Sequence, residues 1–397
     1  MLHPAATPQP DQAAQRWPWW PLLPLYPYGR RATLVREVVA GSVWCFEQLQ
    51  GVYYVAVPIR MTVLKLKHGL LLYAPVAPTG EVRRALADLE RAHGPVQTIV
   101  LPSSSGLEHK LPVPAMARAC PEATVWVTPQ QWSFPLPLPL RWLGFPAQRT
   151  RVLFEQGTPH PDELTWSPLG PLDLGLGTFM EAACLHRSTG TLLVTDALVS
   201  IGAEPPAVFA LDPTPLLFHA RERGEEALID APERRRRGWQ RLALFASYLR
   251  PASLQVPSLV ETLRSALRPG VRNARSHFGL YPFRWPSGWE AEFESLQGLQ
   301  ERGLQIAPVL ERLVFPRCRR QLITWIQELA KLEGVRQLIA AHHEAPVACD
   351  AQALQGLAAS LEQRAWAADH GSWSLLARID QTLLRLGLVP QQPADPD

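Results

Sequence analysis

"CLHRSTGTLLVTDAL", residues 184–198, is the stretch on which the reading of the chain turns. Residues 179–186, "FMEAACLH", and 191–196, "TLLVTD", are apolar runs of strand length, and the Ser-Thr-Gly between them is a turn signal. His186 closes the first strand and Asp196 closes the second. Strand ends that open into loops are where a rigid scaffold gathers ligating and catalytic side chains. Two other segments end the same way. In "LPSSSGLEHK" (101–110) Glu108 and His109 follow an apolar run over 97–101, and in "LIAAHHEAPV" (338–347) His342 and His343 follow a strand over 335–340.

Working outward, "VYYVAV" (52–57), "MTVLKLK" (61–67) and "LLLYA" (70–74) read as strands, with His68-Gly69 as a hairpin turn. A helix is predicted over 79–92, with Thr79 as N-cap and Val82, Leu86 and Leu89 on its apolar face. A strand over 97–101, a short helix over 113–119, and strands over 123–128 and 150–155 follow. Strands interleaved with helices in this order predict an α/β (α+β) sandwich. Residues 1–15 and 391–397 are small, polar and Pro-rich, and read as disordered tails. Residues 16–50 form a Trp/Pro-rich extended arm, 51–347 the core with an insertion over 200–300, and 348–390 C-terminal helices. Further helices are expected over 318–333, ended by Gly334, and over 351–366 and 373–386.

Composition excludes several classes. A chain of 397 residues with 47% hydrophobic residues has ample material for a core, and a net charge of +3 does not suit a dedicated nucleic-acid binder. Five widely spaced cysteines with no CxxC pair fit reduced thiols better than a disulfide framework or a thiolate zinc site. No run reaches the roughly 18 apolar residues that span a bilayer, so a cytoplasmic location is expected.

Imidazole and carboxylate donors suffice for a divalent zinc or iron ion, without cysteine. On these residues the chain resembles the metallo-β-lactamase superfamily. "HRSTGTLLVTDAL" is similar to its hairpin of a strand-end histidine, glycine turn, apolar strand and bridging Asp, and "IAAHHEAPV" to its closing strand and last histidine. Aligned on the superfamily's HxHxDH motif, His109 takes the last histidine and Glu108 the Asp, while Ser104 and Gly106 stand where two histidines would be. The resemblance implies a metallo-β-lactamase-like αββα sandwich holding one divalent metal at Glu108, His109, Asp196 and His342, with His186 as a base or water-orienting residue. "WPLLPLYPYGRR", "FEQLQGVYYVAVPIRMTV", "SGLEHK", "QWSFPLPLPLRWLGFP" and "HFGLYPFRWPSGWE" resemble a metallo-β-lactamase-like family of unknown function found in cyanobacteria and plastids. That implies a cytoplasmic or stromal protein, and no established reaction.

Each motif also has a structural reading. The ligand residues could be ordinary polar loop groups. Ser103, Ser104 and Ser105 read as turn formers, because no GxSxG accompanies them. "PERRRRGWQR" (232–241) reads as a solvated mixed-charge loop, and "GPLDLGLGTF" (170–179) lacks phosphate-cradle spacing. "QWSFPLPLPLRWLGFP" (131–146) reads as an extended strip packed against the arm, sharing one mouth with "YPFRWPSGW" (281–289). Two functions follow: a mononuclear metal-dependent hydrolase of an unknown small molecule, an ester or similarly apolar compound; or a non-catalytic scaffold that meets a protein or membrane surface through its Trp/Pro-rich segments.

Overall fold

The computed structural model describes residues 13–16, 26, 29–52, 54–132, 136, 138–175, 177–267, 273–366 and 370–392. Much of the arm, the tails and residues 133–135 and 137 of the Pro/Leu strip lie outside them, so the expectations for those residues do too. Two sheets stack face to face. The first carries β1 (Leu34–Val39), β2 (Val43–Val52), β3 (Val55–Leu66), β4 (Gly69–Tyr73), β5 (Val96–Leu101), β6 (Thr124–Val127) and β7 (Thr150–Val152), in chain order. β1 to β4 form an antiparallel meander; β4 to β7 are parallel, with α1 (Gly80–His93) and α2 (Val113–Ala119) in the first two crossovers. The Thr79 hydroxyl accepts from the Val82 N–H, the capping bond expected at the start of α1. Such a cap stabilises a helix by about 1 kcal/mol.

The second sheet is built from β8 (Leu164–Asp173), β9 (Thr178–His186) and β10 (Thr191–Val194), and from two later strands, β13 (Gln337–Ala340) and β14 (Val347–Ala348), in the order β14-β13-β10-β9-β8. β11 (Leu198–Val199) and β12 (Gln305–Ile306) pair separately. Between the sheets lie Cys45, Leu64, Leu71 and Tyr73 from one and Ala182, Cys184, Leu193 and Ile339 from the other. α1 and α2 pack on the outer face of the first sheet, and α8 (Arg319–Ala330) and α9 (Ala351–Gln363) on that of the second. Four layers, helix, sheet, sheet, helix, make the expected αββα sandwich.

The segment between β11 and β12 carries α3 (Thr214–His219), α4 (Pro232–Tyr248), α5 (Leu259–Leu267) and α6 (Trp289–Gln297); α7 (Pro308–Leu313) follows β12, and α10 (Ser374–Arg385) follows α9. α3, α4 and α6 build an aromatic core with Tyr54, Phe218, Trp239, Tyr281 and Trp285. Several expectations change here. "PERRRRGWQR" opens the 17-residue α4, not a loop, because Pro232 starts it and each of its four consecutive arginines meets an acid: Arg234 with Glu226, Arg235 with Asp230, Arg236 with Glu204, Arg237 with Glu222. Tyr281, Phe283, Trp285 and Trp289 are buried beside Arg221 and Arg241, so they line no open mouth. Trp142 is 68% exposed and not packed away. Val52 ends β2, and residues 55–57 of the first predicted run join 61–66 of the second in one strand, β3; β1 and β2 occupy part of the predicted arm; and β8 was not foreseen.

Candidate metal centre

β5, β10 and β13 bring their C-terminal ends to one edge of the sandwich, and the residues just beyond carry the polar cluster. Two cross-sheet bridges, Ser103 with Glu181 and Ile59 with His342, fasten the sheets together at that edge. The ligand atoms of Glu108, His109 and His342 lie within 4.8 Å of one another. Asp196 joins through Oδ1, 3.1 Å from Nε2 of His342, and that same nitrogen stands 3.9 Å from Glu108 Oε1. The Glu108, His342 and Asp196 side chains are 20%, 15% and 13% exposed, so the cluster opens to solvent on one side.

Both histidines are oriented by backbone carbonyls of remote residues. Nδ1 of His109 donates to Pro75 O at 3.1 Å and Nδ1 of His342 to Pro58 O at 3.2 Å. Donation from Nδ1 leaves Nε2 facing the cluster, the arrangement by which outer partners fix a ligating imidazole. Nε2 of His109 is buried and makes no hydrogen bond. A buried polar atom without a partner costs about 1–3 kcal/mol, so its lack of one beside this cluster requires explanation. Gly106 supplies room: at its φ of +66° a Cβ would stand 2.0 Å from Glu108 Oε1. The carboxylate of Glu108 thus folds into space that any side chain at 106 would contest.

The supports lie one layer out. Ser103 and Ser105 donate to Asp196 Oδ2 at 2.8 and 2.6 Å. The carboxylate of buried Glu181 accepts the backbone N–H groups of Thr195, Asp196 and Ala197 at 2.6, 3.0 and 2.8 Å, holding the turn that presents Asp196. Arg60, itself buried, donates to Glu47 at 2.7 Å, to His343 O at 2.7 Å and to Ala340 O, which fixes the backbone on both sides of His342. Lys110 donates to Ser104 O and Gln131 O at 2.9 and 2.6 Å.

Electrostatics follows from these contacts. Burial would raise the Asp196 carboxyl, but the hydrogen bond and charge of His342, with the Ser105 hydroxyl, hold it well below the carboxylate range. Burial opposes the His342 imidazolium, yet the hydrogen bond and charge of Asp196, then the charge of Glu108, raise it above the ordinary histidine value. Burial lowers His109, against the charge of Glu108. Glu181 rises to about 7, first through burial and then through repulsion from Asp196. Burial lowers the Lys110 ammonium to about 8.

The structure brings Glu108, His109, Asp196 and His342 together, and it does not bring His186 to them. His186 pairs with Thr191 at the turn end of the hairpin, five residues from Asp196, or about 16 Å along an extended strand. Its ring is closed by its own turn, with Nδ1 2.9 Å from Thr189 Oγ1 and Nε2 3.0 Å from Ser188 Oγ. The role foreseen for it as base or water-orienting residue therefore fails on position. His343 has φ +55°, which turns it away from His342 to pack 6.1 Å from Trp239. Ser103, Ser105, Glu181 and Arg60 were missed as parts of the site. Signals existed for two of these features: an acid inside the apolar run "FMEAACLH", and serines at i and i+2, which share one side of an extended chain.

Comparison with known proteins gives the following. The chain is similar in structure to a metallo-β-lactamase from Pontibacter korlensis (12% identity, TM-score 0.37, covering 84% of this chain and 100% of that one). It is also similar to the metallo-β-lactamase FIM-1 from Pseudomonas aeruginosa in its mono-zinc form (7%, TM-score 0.36, 83% and 95%). A third is the metal-soaked Flv1 flavodiiron core from Synechocystis sp. PCC6803 (10%, TM-score 0.39, 84% of this chain and 62% of that one). No curated protein matches the sequence. Residues 40–359 match a family described as "Domain of unknown function (DUF4336)", and the chain belongs to that family.

Proposed function

We propose that the chain is a mononuclear metal-dependent hydrolase that holds one divalent ion, zinc or iron, on Glu108, His109 and His342, with Asp196 completing the set. The observation that carries this reading is the convergence of ligand atoms of Glu108, His109 and His342 within 4.8 Å of one another, beside a His109 whose buried Nε2 makes no hydrogen bond. Two imidazoles and two carboxylates are a fitting donor set for either metal. A divalent ion there supplies Lewis acidity, polarising a carbonyl or phosphoryl oxygen and acidifying water. The chain's own residues do the positioning. Ser103 and Ser105 occupy Oδ2 of Asp196, so that Oδ1 alone remains to face the cluster, which supports one ion over two. Pro75 O and Pro58 O fix the imidazole tautomers, and the substrate proposed for the exposed side of the cluster is a small ester or similarly apolar compound.

One observation favours the rival scaffold reading. Asp196 already receives three hydrogen bonds, from Ser103, Ser105 and His342, and so is satisfied as it stands. Elemental analysis of protein purified without chelator, followed by ester-hydrolysis assays on the metal-loaded and chelated forms, separates the two. About one ion per chain with chelator-sensitive hydrolysis supports the hydrolase; no stoichiometric metal, and none taken up on titration, leaves the scaffold.

A further inference from the structure

α5 turns an apolar face to solvent. Leu259, Val260, Leu263 and Leu267 are 82%, 57%, 56% and 74% exposed. At 100° per residue they fall within a sector of roughly 100°, flanked by the buried Thr262 roughly 60° beyond Leu259. Phe278, 62% exposed, extends the patch: it precedes Gly279, whose backbone sits so near α5 that a Cβ there would lie 3.4 Å from the Ala266 Cα. Apolar residues scattered singly over a surface need no explanation, but a contiguous stripe does.

Charge indicates what covers it. Residues 262–289 contain Arg264, Arg268, Arg272, Arg275 and Arg284 and no Asp or Glu, in a chain whose net charge is only +3. Arg264 and Arg284 are exposed, and both act electrostatically on Glu261 in the first turn of α5, which places them at the stripe's border. A second copy of the chain would set Arg264 and Arg284 against the same pair, with only Glu261 of that border to offset them. A nucleic acid would use the arginines and leave the leucines wet. An anionic lipid surface satisfies both, taking the leucines at the acyl boundary and the arginines at the headgroups. Among the described residues no helix is long and apolar enough to cross a membrane, so α5 would lie on the surface and not span it.

We propose that α5 and the Phe278 surface dock the chain on an anionic lipid surface, with Leu259, Leu263 and Leu267 toward the acyl chains and Arg264 and Arg284 among the headgroups. The inference is independent of the metal centre. It is tested by flotation of the full chain with phosphatidylcholine vesicles with and without phosphatidylglycerol. The expected result is binding to the anionic vesicles, weakened by salt, lost in Leu263→Glu/Leu267→Glu, and reduced about fivefold per arginine in Arg264→Gln/Arg284→Gln. These positions are exposed, so circular dichroism should match the parent. Three results would each overturn the proposal: no binding to anionic vesicles, undiminished binding of the leucine variant, or a self-association without vesicles that the leucine variant abolishes.

Discussion

The hairpin of β9 and β10 has a polar group at each end, and the two ends are built in opposite ways. At the turn end, His186 is satisfied by Ser188 and Thr189, two and three residues away. At the far end, Asp196 meets Ser103, Ser105 and His342, each more than 90 residues distant in sequence. His342 and His109 are likewise aimed by carbonyls from other strands and loops, and one His109 nitrogen is left over. A histidine at a strand end is thus a ligand candidate only when remote groups orient it. One closed by its own turn is a turn device.

Substitutions at the two ends should differ in what they cost. The largest effect is expected for Arg60→Met. It strips buried Glu47 of its buried partner and frees the Ala340 and His343 carbonyls, so stability in chemical denaturation should fall by about 3–5 kcal/mol. Next, Ser103→Ala/Ser105→Ala releases Asp196 Oδ2, and metal affinity by competition titration should fall about 10–100-fold while the chain stays folded.

The two ends should also respond oppositely to pH in the metal-free protein. His342 is raised above its unfolded value, so its contribution is complete below the unfolded pKa of about 6.5 and is lost as pH rises through the folded value. His186 is lowered by burial, so its contribution is complete above about 6.5 and is lost as pH falls. Denaturation curves of His342→Gln and His186→Gln against the parent should therefore diverge on opposite sides of that pH. Metal affinity should rise with pH, because an ion must displace the Nε2 proton of His342. The smallest effect is expected for His186→Gln itself: about 1 kcal/mol of stability and no change in metal binding. A loss of metal in that variant would return His186 to the site.

Much of the sandwich was legible in the sequence, because apolar runs of strand length and the α1 periodicity are local signals, and Thr79 caps where its position predicts. β8 was hidden by Pro168 and Pro171, which argue against a central strand but are tolerated in this edge strand. β1 and β2 were hidden by the Trp/Pro-rich neighbourhood and by Arg36, Glu47 and Gln48, polar residues whose partners include Ala345, Arg60 and Ala77 outside those strands. α4 was hidden by its four consecutive arginines, whose acids come from residues 204 to 230. At the site, residue types and strand ends were visible for Glu108, His109, Asp196 and His342. A hairpin that turns at 187–190 sets His186 and Asp196 at opposite ends, so the position of His186 was legible and the resemblance to a ligand histidine misplaced it.

The central claim is that one ion is held by remote-oriented histidines at the Asp196 end. Its most direct test is metal stoichiometry of the parent and His109→Ala chains, purified in parallel without chelator and measured by elemental analysis. About one zinc or iron per parent chain is expected, with at least a 100-fold weaker affinity in the variant, beyond the 10–100-fold that outer partners alone contribute. A parent chain that takes up no ion, or a variant that keeps it, would contradict the account.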